Sequence, residues 1–315
     1  MMENNDFNNT NGGSMADLEE LRKKMLEDAK KGIKEQYASE EYALMQAINA
    51  YLQLSKSYNL LFERLSEWFG IYVPELSIQN PKQLIAVSIA VAEGKNIQDA
   101  ASRVIGSNPN TEGILEKINS TIGRPWNDEE KNTFLQVARL GAQIESTLDS
   151  LDAYINSAAN RLMPNVTYLS DPKIAAELLS KAGSLERMAF MPASTIQLLG
   201  AEKALFRHIK FGSKSPKYGV FFKLPKVSGG RWDIRGKIAR LYATKISIAV
   251  KADYFSKRFI AKELKESLDA GIKRIESEPE RKREERGRFG RGGGNINRPN
   301  NRRNSKFKGF KRKRY

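Results

Sequence analysis

Lys203, Arg207 and Lys210 recur at i, i+4 and i+7 inside MPASTIQLLGAEKALFRHIKFGSKSPKYGVFFK (residues 191–223), a spacing that sets three cations along one side of a helix. Such a stripe suits one chemistry above others, the gripping of a repeated anion such as a phosphate backbone. Lys214 and Lys217 follow in KFGSKSPK, and RWDIRGKIAR adds Arg231, Arg235, Lys237 and Arg240. Ser194 and Gln197 fit a capping box, so a helix is expected to start there. Ile196, Leu199, Leu205, Phe206 and Ile209 would give it a core-facing side. Gly200 is the odd residue, since glycine inside a helix costs about 1 kcal/mol relative to alanine. Either another backbone passes close to it, or the helix breaks there and restarts at Ala201. In the second case free N–H groups and the positive end of a helix dipole would lie beside Lys203.

The charge distribution supports the phosphate reading. The net charge of +16 divides unevenly: residues 196–258 carry +12, residues 279–315 carry another +12, and the remainder sums to −8. An acidic body with two basic regions is the footprint of a polyanion binder. Other chemistries are poorly provided for. There is no cysteine, hence no disulfide, thiolate zinc site or cysteine nucleophile, and His208 is the only histidine. Neither a metal nor a cofactor is expected. GRFGRGGG (287–294) is the one glycine cluster, and no strand precedes it as a nucleotide-binding fold would require, so the chain is read as non-enzymatic. No run approaches the roughly 20 apolar residues of a membrane span, and the N-terminus lacks a signal-peptide pattern.

The elements that must position the basic segment read as helices. Residues 1–16 are Asn/Gly-rich and expected to be disordered, and the pattern turns helical from Asp17. Leu44, Ile48, Tyr51, Ser55, Tyr58, Phe62, Leu65 and Phe69 alternate four- and three-residue steps, as do Val137, Gly141, Ile144, Leu148, Leu151, Ile155, Ala158 and Leu162. Helices over 17–69 and 128–163 carrying these seams predict an antiparallel coiled-coil hairpin. Short helices at 81–93 and 97–105 would form its cap, and the seam residues Ile144, Leu148, Leu151 and Ile155 would hold two copies together. Helices are further expected at 172–189 and through 235–277, with YGVFFKLP too short to found a sheet. The fold class is all-α, divided as 1–16 linker, 17–165 coiled coil with cap, 166–278 basic globular domain and 279–315 disordered basic tail.

Four segments carry a family resemblance: AGSLERMAFMPA, MPASTIQLLGAEKALFRHIK, SPKYGVFFKLP and RGKIARLYATKISIAVKADYF. Together they resemble the Nop-domain family, as does YNLLFERLSEWFGIYVPEL at the coiled-coil entry, over roughly residues 17–278. The likeness is nearest to the archaeal scaffold of box C/D ribonucleoproteins. It implies a scaffold that binds a kink-turn guide RNA jointly with a small kink-turn-binding ribosomal protein. It also implies pairing through the coiled coil in a complex with the methyltransferase fibrillarin, which directs ribose 2′-O-methylation. Such a protein would be cytoplasmic in an archaeon and nucleolar in a eukaryote. Carried over by position, Gly200, Ala201, Glu202, Lys203, Phe206, Arg207 and His208 form the RNA and partner surface. Glu202 would accept hydrogen bonds from RNA hydroxyls or a neighbouring basic residue. The family's usual N-terminal fibrillarin-docking domain has no match before Asp17, so that domain is expected to be truncated, encoded separately or lost.

Overall fold

The computed structural model describes residues 15–94, 116–118 and 120–280. The expected helix at 97–105 lies outside them, as does most of the segments 1–16 and 279–315 expected to be disordered; of the first, Met15 and Ala16 are helical. The described residues contain helices and turns but no strand, so the chain is all-α. Helix α1 (Met15–Tyr37) stops short of α2 (Glu40–Phe69), and the single helix expected over 17–69 is two. Ser39 makes the break: its backbone is extended and its hydroxyl accepts the Glu41 N–H at 3.3 Å, an N-cap followed by Glu40 and Glu41 in the first turn.

Helix α2 pairs with α4 (Asp128–Leu162), and α3 (Pro81–Glu93) lies across both. The pairing is antiparallel. Glu40 meets Arg161, the Tyr58 hydroxyl donates to Glu145 at 3.2 Å, and the Tyr72 hydroxyl donates to Glu130 at 3.2 Å. Burial beside Glu145 pushes the Tyr58 hydroxyl pKa well above its ordinary value. All residues of both seams are buried or half-buried, because the seams face each other within one chain. This places the four residues read as a contact between copies. Ile155 is fully buried in one hydrophobic cluster with Leu151 against it, while Ile144 and Leu148 pack on the other. All four therefore pack inside the hairpin of one chain.

Of those two clusters, one fills the cap, around Phe69, Val73, Leu84 and Phe134. The larger runs from Leu44 to Ile272 without a gap at 165/166, and the described residues up to Glu278 form one compact unit. After α5 (Pro164–Leu169), Asp171 caps α6 (Pro172–Ala182), which packs on both hairpin helices. Left-handed Gly183 ends α6 and Ser184 caps α7 (Leu185–Phe190), so 172–189 is again two helices. Then come α8 (Ala193–Leu198), α9 (Glu202–Phe211), a 3₁₀ turn (Gly219–Lys223) where the β-rich stretch was read, and α10 (Pro225–Ser228). Helix α11 (Arg235–Lys251) is the axle of this half, touching α5, α7, α8 and α12 (Ala261–Glu276). A π-helical turn (Ala252–Ser256) and left-handed Lys257 interrupt the expected run through 277. Within that turn Asp253 is buried and accepts the Asn165 and Val166 N–H groups, both at 3.1 Å. Burial raises its carboxyl pKa against the pull of those donors.

Replacing Ile155 with alanine is expected to cost roughly 2–5 kcal/mol in urea unfolding. A loss below about 1 kcal/mol would mean that the seam is not a core.

Candidate nucleic-acid interface

The basic segment is shaped by two backbone contacts. Helix α8 ends at Leu198, the Ala201 N–H donates to Leu198 O at 2.9 Å, and Gly200 sits at φ +83°. Gly219, at φ +52°, opens the 3₁₀ turn. A β-carbon there would stand 2.4 Å from Leu199 O, and one on Gly200 would stand 2.7 Å from Val220 Cγ2. Across this join the Val220 N–H donates to Leu199 O at 2.8 Å. Both reasons considered for Gly200 therefore hold: the helix breaks, and another backbone passes close by.

Beyond the break, α9 runs for ten residues and none of them is buried. The residues expected to face the core divide at Gly200. Ile196 and Leu199 are buried, Leu205 is half-buried, and Phe206 and Ile209 are 62% and 74% exposed. Lys203, Arg207 and Lys210 are exposed along the same helix, with the Lys210 ammonium 5.8 Å from the Phe206 ring and 5.4 Å from Phe211. The surface thus mixes cations with apolar side chains that nothing among the described residues covers. At the first turn no side chain caps from Ala201, and the Glu202 carboxylate turns back to accept the Gly200 N–H at 2.7 Å. That bond fixes Glu202 at the break, while the N–H groups of Glu202, Lys203 and Ala204 start the helix without intrahelical partners. Left-handed Gly212 closes α9, and the His208 Nδ1–H donates to Ser213 O.

The expected capping box is not formed. The N-cap is Pro192, two residues before Ser194, and Ser194 lies within the first turn. Gln197 is buried instead, and its Nε2 donates to Lys217 O at 2.7 Å, tying the 212–218 loop to α8. That loop carries Lys214 and Lys217 outward, and the Lys217 methylenes lie against Gly236 at the start of α11.

The other basic candidates divide. Arg240 is exposed on α11. Arg231 donates to Glu278 O at 2.8 Å and Lys237 pairs with the Glu278 carboxylate, so both hold the end of α12. Arg235 donates to Gly230 O at 2.8 Å and lies 5.9 Å from the Phe222 ring. These three bond within the fold, whereas Lys203, Arg207, Lys210, Lys214 and Lys217 face outward without an ion pair among the described residues. Periodicity put Phe206 and Ile209 on a core-facing side, whereas the family resemblance put Phe206 on the partner surface, and both side chains are open. No cluster of three His, Asp or Glu side chains able to hold a metal is present among the described residues, and no helix there is long and apolar enough to cross a membrane.

Comparison with known proteins places this geometry in a family. The family model described as Nop, snoRNA binding domain, fibrillarin, matches residues 50–274. The chain belongs to the Nop family. A NOP5 family protein of Methanocaldococcus jannaschii is 35% identical over 269 residues, covering 84% of this chain and 65% of that protein. Nucleolar protein 56 of Caenorhabditis elegans is 32% identical over 225 residues, covering 68% of this chain and 46% of that one. This chain therefore spans less than two thirds of either relative. A chain of the crystal structure of a fibrillarin/Nop5p complex is 23% identical, with 87% of this chain and 88% of that chain covered and a TM-score of 0.43.

Gly219→Ala is expected to destabilise by about 2 kcal/mol or more, because its β-carbon meets backbone. Gly212→Ala, equally left-handed but facing open space, should cost only about 1 kcal/mol. Equal losses in urea unfolding would contradict the close join described above.

Proposed function

We propose that this chain is a non-catalytic scaffold of a box C/D guide ribonucleoprotein. In this reading it holds a kink-turn RNA jointly with a small kink-turn-binding ribosomal protein, inside a complex where fibrillarin performs ribose 2′-O-methylation. The observation that carries it is α9, a ten-residue helix with no buried residue that presents Lys203, Arg207 and Lys210 beside open Phe206 and Ile209. Cations contact phosphates; apolar side chains of that size ask for a protein surface. One helix serving both explains joint binding, since each partner supplies what the other lacks. The family's description as a snoRNA-binding domain linked to fibrillarin supports the choice of RNA and of enzyme partner.

The scaffold reading divides the chain by task. Residues 17–165 set distance and 166–278 carry the α9 surface, while the basic 279–315 tail adds sequence-independent affinity. Pairing of two copies would use the outer face of the hairpin, where Leu60 and Leu140 are exposed, instead of the inward seams. The protein would work in the cytoplasm of an archaeon or the nucleolus of a eukaryote.

Gel shift with a box C/D kink-turn RNA, with and without the kink-turn-binding protein, tests this. Lys203→Ala with Arg207→Ala should weaken joining to the preformed protein–RNA complex by roughly ten- to hundredfold. Arg231→Gln should lower the melting temperature instead and leave the affinity of the folded protein within about twofold. Normal assembly by the α9 variant would move the contact surface elsewhere.

A further inference from the structure

A second surface lies at the other end of α11, where the chain leaves the helix through YFSKRF (residues 254–259). Four aromatic side chains stand open there: Tyr168, Phe190, Phe255 and Phe259 are 49%, 69%, 59% and 53% exposed. They form two edge-to-face pairs, Phe190 with Phe255 and Tyr168 with Phe259, each with ring centroids 5.6 Å apart. Lys257 and Arg258 stand in the chain between Phe255 and Phe259, both exposed and without a side-chain partner among the described residues. A cleft of about 740 Å³ opens beside them, lined in part by Tyr254, Phe255 and Lys257.

The backbone beneath is held firmly. Asp253 takes the N–H groups of Asn165 and Val166, and the Asn165 side chain bonds Arg258 O at 2.8 Å and the Ile260 N–H at 2.7 Å. These bonds fix Lys257 at φ +52°, a left-handed conformation that side-chain-bearing residues rarely adopt. Rings and cations are thus presented in a set arrangement before anything binds.

We propose that this face is a stacking site for unpaired nucleotides of RNA, separate from the α9 surface. Open aromatic faces interleaved with cations match a single strand, which supplies a flat base and a phosphate at every step. A protein partner fits less well, because burying Lys257 and Arg258 beside the rings would require opposing carboxylates. The site rests on the reading that this chain binds RNA, and it extends the footprint. Lys217 packs at the start of α11 and the YFSKRF segment follows its end, so the basic loop and this face lie at opposite ends of a 17-residue helix about 25 Å long. An RNA seated on α9 would reach this face only through a strand continuing past its folded part.

The test is anisotropy of the full chain with a labelled single-stranded uridine RNA, at salt high enough to suppress contacts of the basic tail. Substituting Phe255→Leu together with Phe259→Leu keeps apolar bulk but removes the π faces, and should weaken binding by roughly ten- to hundredfold. Phe255→Tyr with Phe259→Tyr should stay within about threefold of wild type, which guards against simple misfolding. Photocrosslinking with 4-thiouridine should map to residues 254–259. Wild-type affinity in the leucine variant, crosslinks wholly elsewhere, or equal loss in both variants would overturn the proposal. Joint binding of the kink-turn RNA should be unchanged in the leucine variant if the RNA stops at the α9 surface, so failure here and failure at α9 read out separately.

Discussion

The basic half of this molecule depends on one backbone join, where Leu199 and Gly200 meet Gly219 and Val220 closely enough to exclude a β-carbon on either glycine. Glycine costs conformational entropy on ordering, and two left-handed glycines cost it twice. What the join provides is a change of direction that no continuous helix could make. Upstream of it, Ile196 and Leu199 are core; downstream, α9 carries no buried residue. The Val220 N–H to Leu199 O bond and the Gln197 hold on Lys217 O fix both sides of the loop, so α9 and its basic stripe are aimed by the body without being packed into it.

That arrangement sorts the basic residues by what they have to do. Positive charge near Glu278 closes the end of α12, and positive charge on α9 and the 212–218 loop has no counter-ion in the described chain. The +12 of residues 196–258 is therefore two populations, one bonded within the fold and one open to solvent. The hairpin makes the same distinction with apolar residues. Its seams are consumed within the chain, while α9 leaves Phe206 and Ile209 in water.

The all-α class, the hairpin helices and the basic segment were legible because each rests on local period or local charge. Leu44 to Phe69 and Val137 to Leu162 repeat at helical spacing whatever they pack against. Which partner a seam takes is not local, so Ile155 read equally well as a contact between copies or within one. The break at Ser39 had a readable signal, a cap residue before Glu40 and Glu41, hidden by helical pattern on both sides. Arg231 and Lys237 could not be separated from Lys203 by sequence, since Glu278 lies more than 40 residues further along. Phe206 and Ile209 looked like core for the same reason that Ile196 did; only the join at Gly200 reverses the outcome. The Asn165–Asp253 clasp also spans 88 residues and carries no local mark.

Hydrogen–deuterium exchange measures the central claim, that a rigid body aims α9 at a joint RNA and protein surface. The full chain would be compared alone, with the kink-turn-binding protein, and with that protein bound to its kink-turn RNA. Strong new protection confined to residues 200–218 in the third state, with little change in the second, is the expected result. Protection that leaves 200–218 unchanged, or that appears there with the protein alone, would contradict the account.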